Sequence, residues 1–255
     1  MTSPRLTVAI ASLASRVHKI DVAMLTSQEG VDYHIFVQDA AGPIALRGSD
    51  LRSDITVTPL NSHGVTISRN AAIDTAQGDI ILFADDDLTL ETDSYTRLRA
   101  LFEGAPALDF ICGRMRDAQD KPFKAYPADM TSASRLNTAK LGTPELAVRA
   151  KSVRAAGVTF DTRFGAGSTM WLGDEYIFIC DALRAGLRGR HVDIVLATHP
   201  EPSSGQDNSA ESFAIREAVL RRALGPLSWP LRCAFARRHR KRFPNWQSLL
   251  RFLKP

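Results

Sequence analysis

The run ILFADDDLTL, residues 81–90, carries an apolar stretch directly into three consecutive carboxylates, Asp85, Asp86 and Asp87. At a separation of about 6 Å and an effective dielectric of about 20, each neighbouring pair repels by about 3 kcal/mol. Solvation at a turn absorbs part of that cost. A hard divalent cation such as Mg²⁺ or Mn²⁺ absorbs it better, through oxygen ligands. Alternate residues of a strand share a face, so Asp85 and Asp87 are expected to point together and Asp86 away. An Asp-x-Asp pair of this kind holds a metal and leaves positions open for phosphate oxygens. The plainer alternative is a solvated acidic turn.

The elements that must position these groups follow from patterning. LTVAIAS (6–12), DYHIFVQD (32–39), DITVTPL (54–60) and DIILFAD (79–85) read as strands rich in apolar and β-branched residues. Between the first two, RVHKIDVAMLTSQ spaces Val17, Ile20, Val22, Met24 and Leu25 as a helical face, and a second helix is expected over 68–76, stopped by Gly78. Strand–helix alternation argues for an open, mostly parallel α/β sheet flanked by helices, whose ligands bind beyond the carboxyl ends of the strands. Asp39 and Asp85–Asp87 sit at two such ends. Further on, strands are expected over 108–115 and 145–153. A Gly-rich loop then leads into a helix starting near Asp174, and a last strand ends at His199.

Composition narrows the class. The 255 residues are 44% hydrophobic and 24% charged, ordinary for a globular protein, and no stretch of about 18 apolar residues exists to cross a bilayer. Three widely spaced cysteines, Cys112, Cys180 and Cys233, fit neither a zinc pattern nor a disulfide framework and suit a reducing cytoplasm. From Arg216 onward the chain carries eleven Lys/Arg and one acid, a net +10, whereas the remainder nets −6. The expected division is therefore a domain over 1–205, then a linker and a basic amphipathic helical segment over 206–255.

GVTISRNAAIDTAQGDIILFADDD (64–87) resembles the Ser/Ala-Arg-Asn, Ala-x-Gly-Asp and Asp-x-Asp block of family 2 glycosyltransferases, which have the GT-A fold. FDTRFGAGSTMWLGDEYIFICDALRAGL (160–187) is similar to their second block, and HVDIVLATHP (191–200) to their strand ending in histidine. The resemblance covers roughly residues 5–205. It implies an inverting enzyme that moves one sugar from a nucleoside-diphosphate donor, UDP-linked, to an acceptor hydroxyl on a glycan, lipid-linked or other acceptor. The setting it implies is cell-surface glycan or polysaccharide biosynthesis. Asp39 would contact the nucleotide base, Arg69 the nucleotide or phosphate, and Asp85 and Asp86 would belong to the donor site. Asp87, with Asp85 and His199, would hold the divalent cation. The family's Glu-Asp pair is inverted here to Asp174-Glu175. Glu175 stands at the position of the catalytic base, with Asp174 as the alternative. Both fall at an expected helix start, where the macrodipole favours an ionised carboxylate, and Asp174 could instead serve as the helix cap.

Two other classes compete. ILFADDDLT also fits the first motif of haloacid-dehalogenase-type phosphatases, with Asp85 as nucleophile and Asp87 as acid, but the matching late metal motif is missing. The RRHRKR run (237–242) alone would suit nucleic acid, yet no recognition motif accompanies it, so no nucleic-acid partner is expected. No Gln-x-x-Arg-Trp motif occurs, which disfavours a processive synthase. In the tail, Trp229, Phe235, Phe243, Trp246 and Phe252 interleave with the cations. That pattern suggests an interfacial helix pair on an anionic membrane, or else a helix packed on the domain with a solvated basic side. The expected location is cytoplasmic, with peripheral attachment to the inner face of the membrane.

Overall fold

A computed structural model of the chain describes residues 3–44, 46, 48, 52–199 and 207–254. Its strands are β1 (Leu6–Leu13), β2 (Val31–Gln38), β3 (Ile55–Leu60), β4 (Ile80–Asp85), β5 (Thr89–Leu90), β6 (Phe110–Asp117), β7 (Leu146–Arg149) and β8 (Gly189–His199). They form one sheet in the order β3-β2-β1-β4-β7-β6-β8-β5. The pairs β2–β3, β1–β2, β1–β4 and β6–β8 are parallel, while β4–β7, β6–β7 and β5–β8 are antiparallel. The expected α/β architecture, an open and mostly parallel sheet flanked by helices, is the one observed.

The helices are α1 (Val65–Thr75), α2 (Ser94–Gly104), α3 (Ala150–Ala155), α4 (Asp174–Arg184), α5 (Ala210–Leu224), α6 (Ser228–His239) and α7 (Trp246–Leu253). They cover both faces of the sheet, and strand alternation decides which residue meets which face. On β4, Ile80, Leu82 and Ala84 point to the side packed by Leu98 and Phe102 of α2. Ile81 and Phe83 point the other way, to Ala72 and Ile73 of α1 and Phe178 and Ile179 of α4. Asp85 continues the Ile81–Phe83 series. Its carboxylate therefore emerges on the face that carries α1 and α4.

Three expectations change. The helix expected after β1 is absent: two single 3₁₀ turns, Val17–Lys19 and Val22–Met24, take its place. Asp21 caps the second turn by accepting from the Ala23 amide at 3.0 Å, so the short polar side chain restarts the chain where a helix would continue. The strand expected over 145–153 stops at Arg149 and turns into α3. Neither β5 nor α2 was expected.

The tail is a three-helix unit rather than a helix pair. Phe213, Ala236 and Phe252 form its small core, with Phe235, Phe243 and Leu249 packed against them. It is joined to the rest through α5, whose Ile215 and Val219 pack with Ile177 and Cys180 of α4. Arg222 adds ion pairs to Asp161 and Asp181, both at 2.8 Å. The boundary expected at 205/206 lies outside the described residues. No helix among the described residues is long and apolar enough to cross a membrane.

Candidate active site

The carboxyl ends of the parallel strands β1, β2 and β4 lie along one edge of the sheet, and α1 and the start of α4 add charge to it. Arg69 comes from the buried side of α1 and is 7% exposed. Its Nη2 donates to Asp85 Oδ1 at 3.1 Å, and its Nη1 donates to Asp174 Oδ2. One guanidinium thus ties the end of β4 to the first residue of α4. Burial works to lower the Arg69 pKa, but the surrounding carboxylates of Asp174, Asp85 and Glu175 outweigh it and hold the cation firmly charged. For Asp85 the balance falls the other way. Burial raises its pKa, and Arg69 only partly pulls it back.

Close approach here requires glycine. At Gly165, whose φ is +97°, an added Cβ would stand 2.9 Å from the Asp174 carboxyl carbon and 3.0 Å from Thr66. The Gly-rich loop before α4 is thereby the packing surface for the Asp174–Arg69 pair.

Strand alternation does not continue through the aspartate triplet. The strand ends at Asp85, and Asp86 and Asp87 lie in a turn. Asp86 continues the Ile80–Leu82–Ala84 series, opposite Asp85, and accepts from Ser12 Oγ at 2.6 Å and from Arg16 Nη2 at 2.5 Å. Asp87 departs from the expectation: the same Nη2 reaches its Oδ2 at 2.9 Å, so it pairs with Asp86 rather than with Asp85. The Arg16 pKa is raised: burial opposes this, and the hydrogen bonds to Asp87 and Asp86 prevail. Ser12 and Arg16, at the end of β1 and just beyond it, did not figure among the expected site residues. The rule that ligands bind beyond the carboxyl ends of strands pointed to them as surely as to Asp39.

The oxygens left over decide whether these groups suit a divalent cation. Both oxygens of Asp86 are taken, by Ser12 and Arg16. Asp85 uses only Oδ1 and Asp87 only Oδ2, which leaves one hard oxygen on each for an ion. No three His, Cys, Asp or Glu side chains converge as a metal site among the described residues, so His199 does not complete a ready-made ligand set with Asp85 and Asp87. His199 ends β8 with its ring 5.6 Å from that of Phe123. Asp85 and Asp87 are the residues whose oxygens could hold a hard divalent cation here.

At α4, Asp174 is not the cap. Gly173 occupies that position with φ +78°, and Asp174 is the first helical residue, buried against Arg69. Glu175 is half-buried, with Asp174 and Arg69 as charged neighbours. Burial first, and the neighbouring Asp174 charge second, push its pKa well above the usual carboxylate range. The helix dipole expected to keep it ionised is therefore overridden. Asp174 is held in the Arg69 ion pair, whereas Glu175 has none among the described residues, and its raised pKa is in the direction that suits a proton acceptor.

Asp39 follows β2 and adopts φ +55°, a left-handed conformation that Asp tolerates better than most residues. Its Oδ2 lies 2.8 Å from His63 Nδ1, and half of its side chain remains exposed. Gln38 is buried and donates to the Gly64 carbonyl.

Comparison with known proteins adds to this geometry. The family described as Glycosyl transferase family 2 matches residues 37–182, a span that includes Asp39, Arg69, Asp85 to Asp87 and the Asp174-Glu175 pair. No curated protein matches the chain in sequence. Among solved structures, TarS of S. aureus is similar in fold, with a TM-score of 0.60 at 13% identity over 85% of this chain and 39% of TarS. A TarS 1–349 fragment in complex with UDP-GlcNAc matches with a TM-score of 0.58 at 14% identity, covering 87% of this chain and 67% of that one. The same fragment in complex with UDP gives 0.58 at 13% identity, covering 87% and 66%. The chain thus spans well under half of the longer TarS structure.

Proposed function

Since this chain belongs to glycosyl transferase family 2, we propose that it transfers a single sugar, with inversion, from a nucleoside-diphosphate sugar to an acceptor hydroxyl. The observation that carries the reading is the Arg69 bridge. It sets Asp85, at the end of β4, beside Asp174 at the start of α4, next in sequence to Glu175, which supports a donor-side carboxylate and a proton acceptor working together. The donor is UDP-linked in this reading, supported by the UDP-GlcNAc and UDP complexes of the similar TarS fragment. Asp39 contacts the base and His63 holds its carboxylate.

Glu175 takes the proton from the acceptor hydroxyl as that oxygen attacks the anomeric carbon in line. The bond to the diphosphate oxygen breaks, and the nucleoside diphosphate leaves with the electron pair. Asp174 and Arg69 keep Glu175 in place from the buried side. Asp85 and Asp87 are the residues that would hold a divalent cation, which when bound offsets the charge of the diphosphate as a Lewis acid. The acceptor belongs to cell-surface glycan or polysaccharide biosynthesis, and is a glycan or a lipid-linked sugar.

Thermal shift against UDP-, GDP- and dTDP-sugars, with Mn²⁺ and with EDTA, tests the donor class. A UDP-sugar is expected to raise Tm most. Equal, null responses to all three nucleotides would remove the proposal. The phosphatase reading has no comparable support: it leaves the match over 37–182 and the whole β1–β3 region without a role.

A further inference from the structure

The three-helix tail divides its apolar and basic residues in a way the sequence pattern could not show. Phe213, Phe235, Phe243 and Phe252 turn inward and stabilise the unit itself. Other large apolar side chains stay outside: Trp229 is 48% exposed, Trp246 67% and Leu250 56%. They belong to one neighbourhood. Trp246 and Leu250 are four residues apart on α7 and so share a helix face. The Trp229 indole reaches the other end of that helix, donating to the Leu253 carbonyl at 3.0 Å.

The cations divide likewise. Arg221 and Arg232 are paired with Glu217, and Arg222 with Asp161 and Asp181. The 237–242 run, which ends α6 and turns toward α7, makes no ion pair with an acid among the described residues, and its arginines and lysine are exposed. His239 within it has its pKa lowered, by burial first and then by Arg242, Arg238 and Lys140. The surroundings are positive and uncompensated.

We propose that the tail docks on an anionic lipid surface through Trp229, Trp246 and Leu250 together with the 237–242 cations. Exposed indoles, a leucine and arginines without an acidic partner among the described residues match the interfacial layer of a bilayer, where apolar groups enter and cations meet headgroup phosphates. The cations alone would also suit nucleic acid by counterion release, but an exposed leucine gains nothing there. The docking unit is continuous with the active site. Val219 of α5 packs so closely on Gly173, the residue before Asp174, that an added Cβ at Gly173 would stand 2.7 Å away. Attachment would hold the catalytic pair near the membrane, which deepens the proposed function, and rests on it, by selecting a lipid-linked acceptor.

Co-sedimentation of the full chain with phosphatidylcholine vesicles, with and without phosphatidylglycerol, tests the docking without any turnover. The chain is expected to pellet with the anionic vesicles only, and 0.5 M salt should weaken the attachment. Replacing Arg237, Arg238 and Lys241 with Ser is expected to lower partitioning about a hundredfold, the effect of three surface charges. Trp246→Ala with Leu250→Ser should lower it as well, with Tm unchanged because these side chains are exposed. Tryptophan emission of the unmodified chain should shift to the blue on anionic vesicles, a readout that needs no variant. Pelleting that ignores lipid charge, absence of pelleting, or binding to an oligonucleotide without vesicle binding would each overturn the proposal. None of these results depends on whether the chain transfers sugar, so docking and glycosyl transfer can fail separately.

Discussion

The guanidinium of Arg69 lies 3.1 Å from Asp85 and joins α1 to the last residue of β4. Because its other terminal nitrogen holds Asp174, a single buried cation fixes two carboxylates that would otherwise repel. Removing one member of such a buried set leaves charge uncompensated, which typically costs about 3–5 kcal/mol. Arg69→Ala is therefore expected to destabilise the fold by that amount, measured by urea denaturation. Arg69→Lys, with one compact ammonium in place of a fork, should recover only part of it. An Arg69→Ala protein as stable as wild type would show that the bridge contributes nothing.

Glu175 titrates above the usual carboxylate range, and the sign of its effect follows. It accepts the acceptor's proton only when ionised, so turnover should climb as pH rises through its raised pKa. Glu175→Gln should lower turnover by about 10²–10⁴-fold at all pH values and leave UDP affinity within a few-fold. Stability moves in the opposite sense. A carboxyl with a raised folded-state pKa stabilises fully below its unfolded pKa, and that contribution is lost as pH rises through the folded value. The Gln variant should therefore gain on wild type in Tm as pH increases. If Asp174→Asn abolishes turnover while Glu175→Gln is nearly normal, Asp174 is the base.

Asp86, opposite Asp85, is anchored by Ser12 and Arg16, and Arg16 ties it to Asp87. Hydrogen bonds to a charged group typically contribute about 1.5–3 kcal/mol each. Asp86→Ala should lower stability by at least that amount and raise the donor KM, since Arg16 would lose its anchor beside Asp87. Ser12→Ala should have a smaller effect in the same direction. An Asp86→Ala variant with unchanged Tm and KM would mean that the contacts are incidental.

Much of this site was legible in the sequence because it is written in local pattern. Apolar runs ending in Asp placed β2 and β4, the Ser68-Arg69-Asn70 stretch placed α1, and Gly-Asp-Glu placed the start of α4. Which residues touch was not legible, because contact depends on where a strand ends. Past Asp85 the backbone leaves the strand, so two-residue alternation failed for Asp87, which shares Arg16 with Asp86 while Asp85 holds Arg69. The apolar spacing of 17–25 suggested a helix, but Asp21 satisfies the next turn itself and interrupts it. In the tail, periodicity found the aromatics. Only tertiary packing separates Phe252, which is buried, from Trp246, which is exposed.

His63 stands 2.8 Å from Asp39 and is the fixed partner of the proposed base-contacting carboxylate. His63→Ala should weaken UDP binding several-fold in calorimetry, with turnover at saturating donor unchanged, because the residue acts on binding alone. A lowered turnover with unchanged affinity would place His63 elsewhere in the mechanism.

The most direct test follows donor cleavage itself. The full chain is incubated with a UDP-sugar and Mn²⁺, and UDP release is measured beside Asp87→Ala and a reaction in excess EDTA. The expected result is UDP release by the wild type and its loss in both controls, with the Asp87→Ala fold intact. Failure of every nucleoside-diphosphate sugar to yield nucleotide, together with an aspartyl-phosphate trapped on Asp85, would contradict glycosyl transfer at this site.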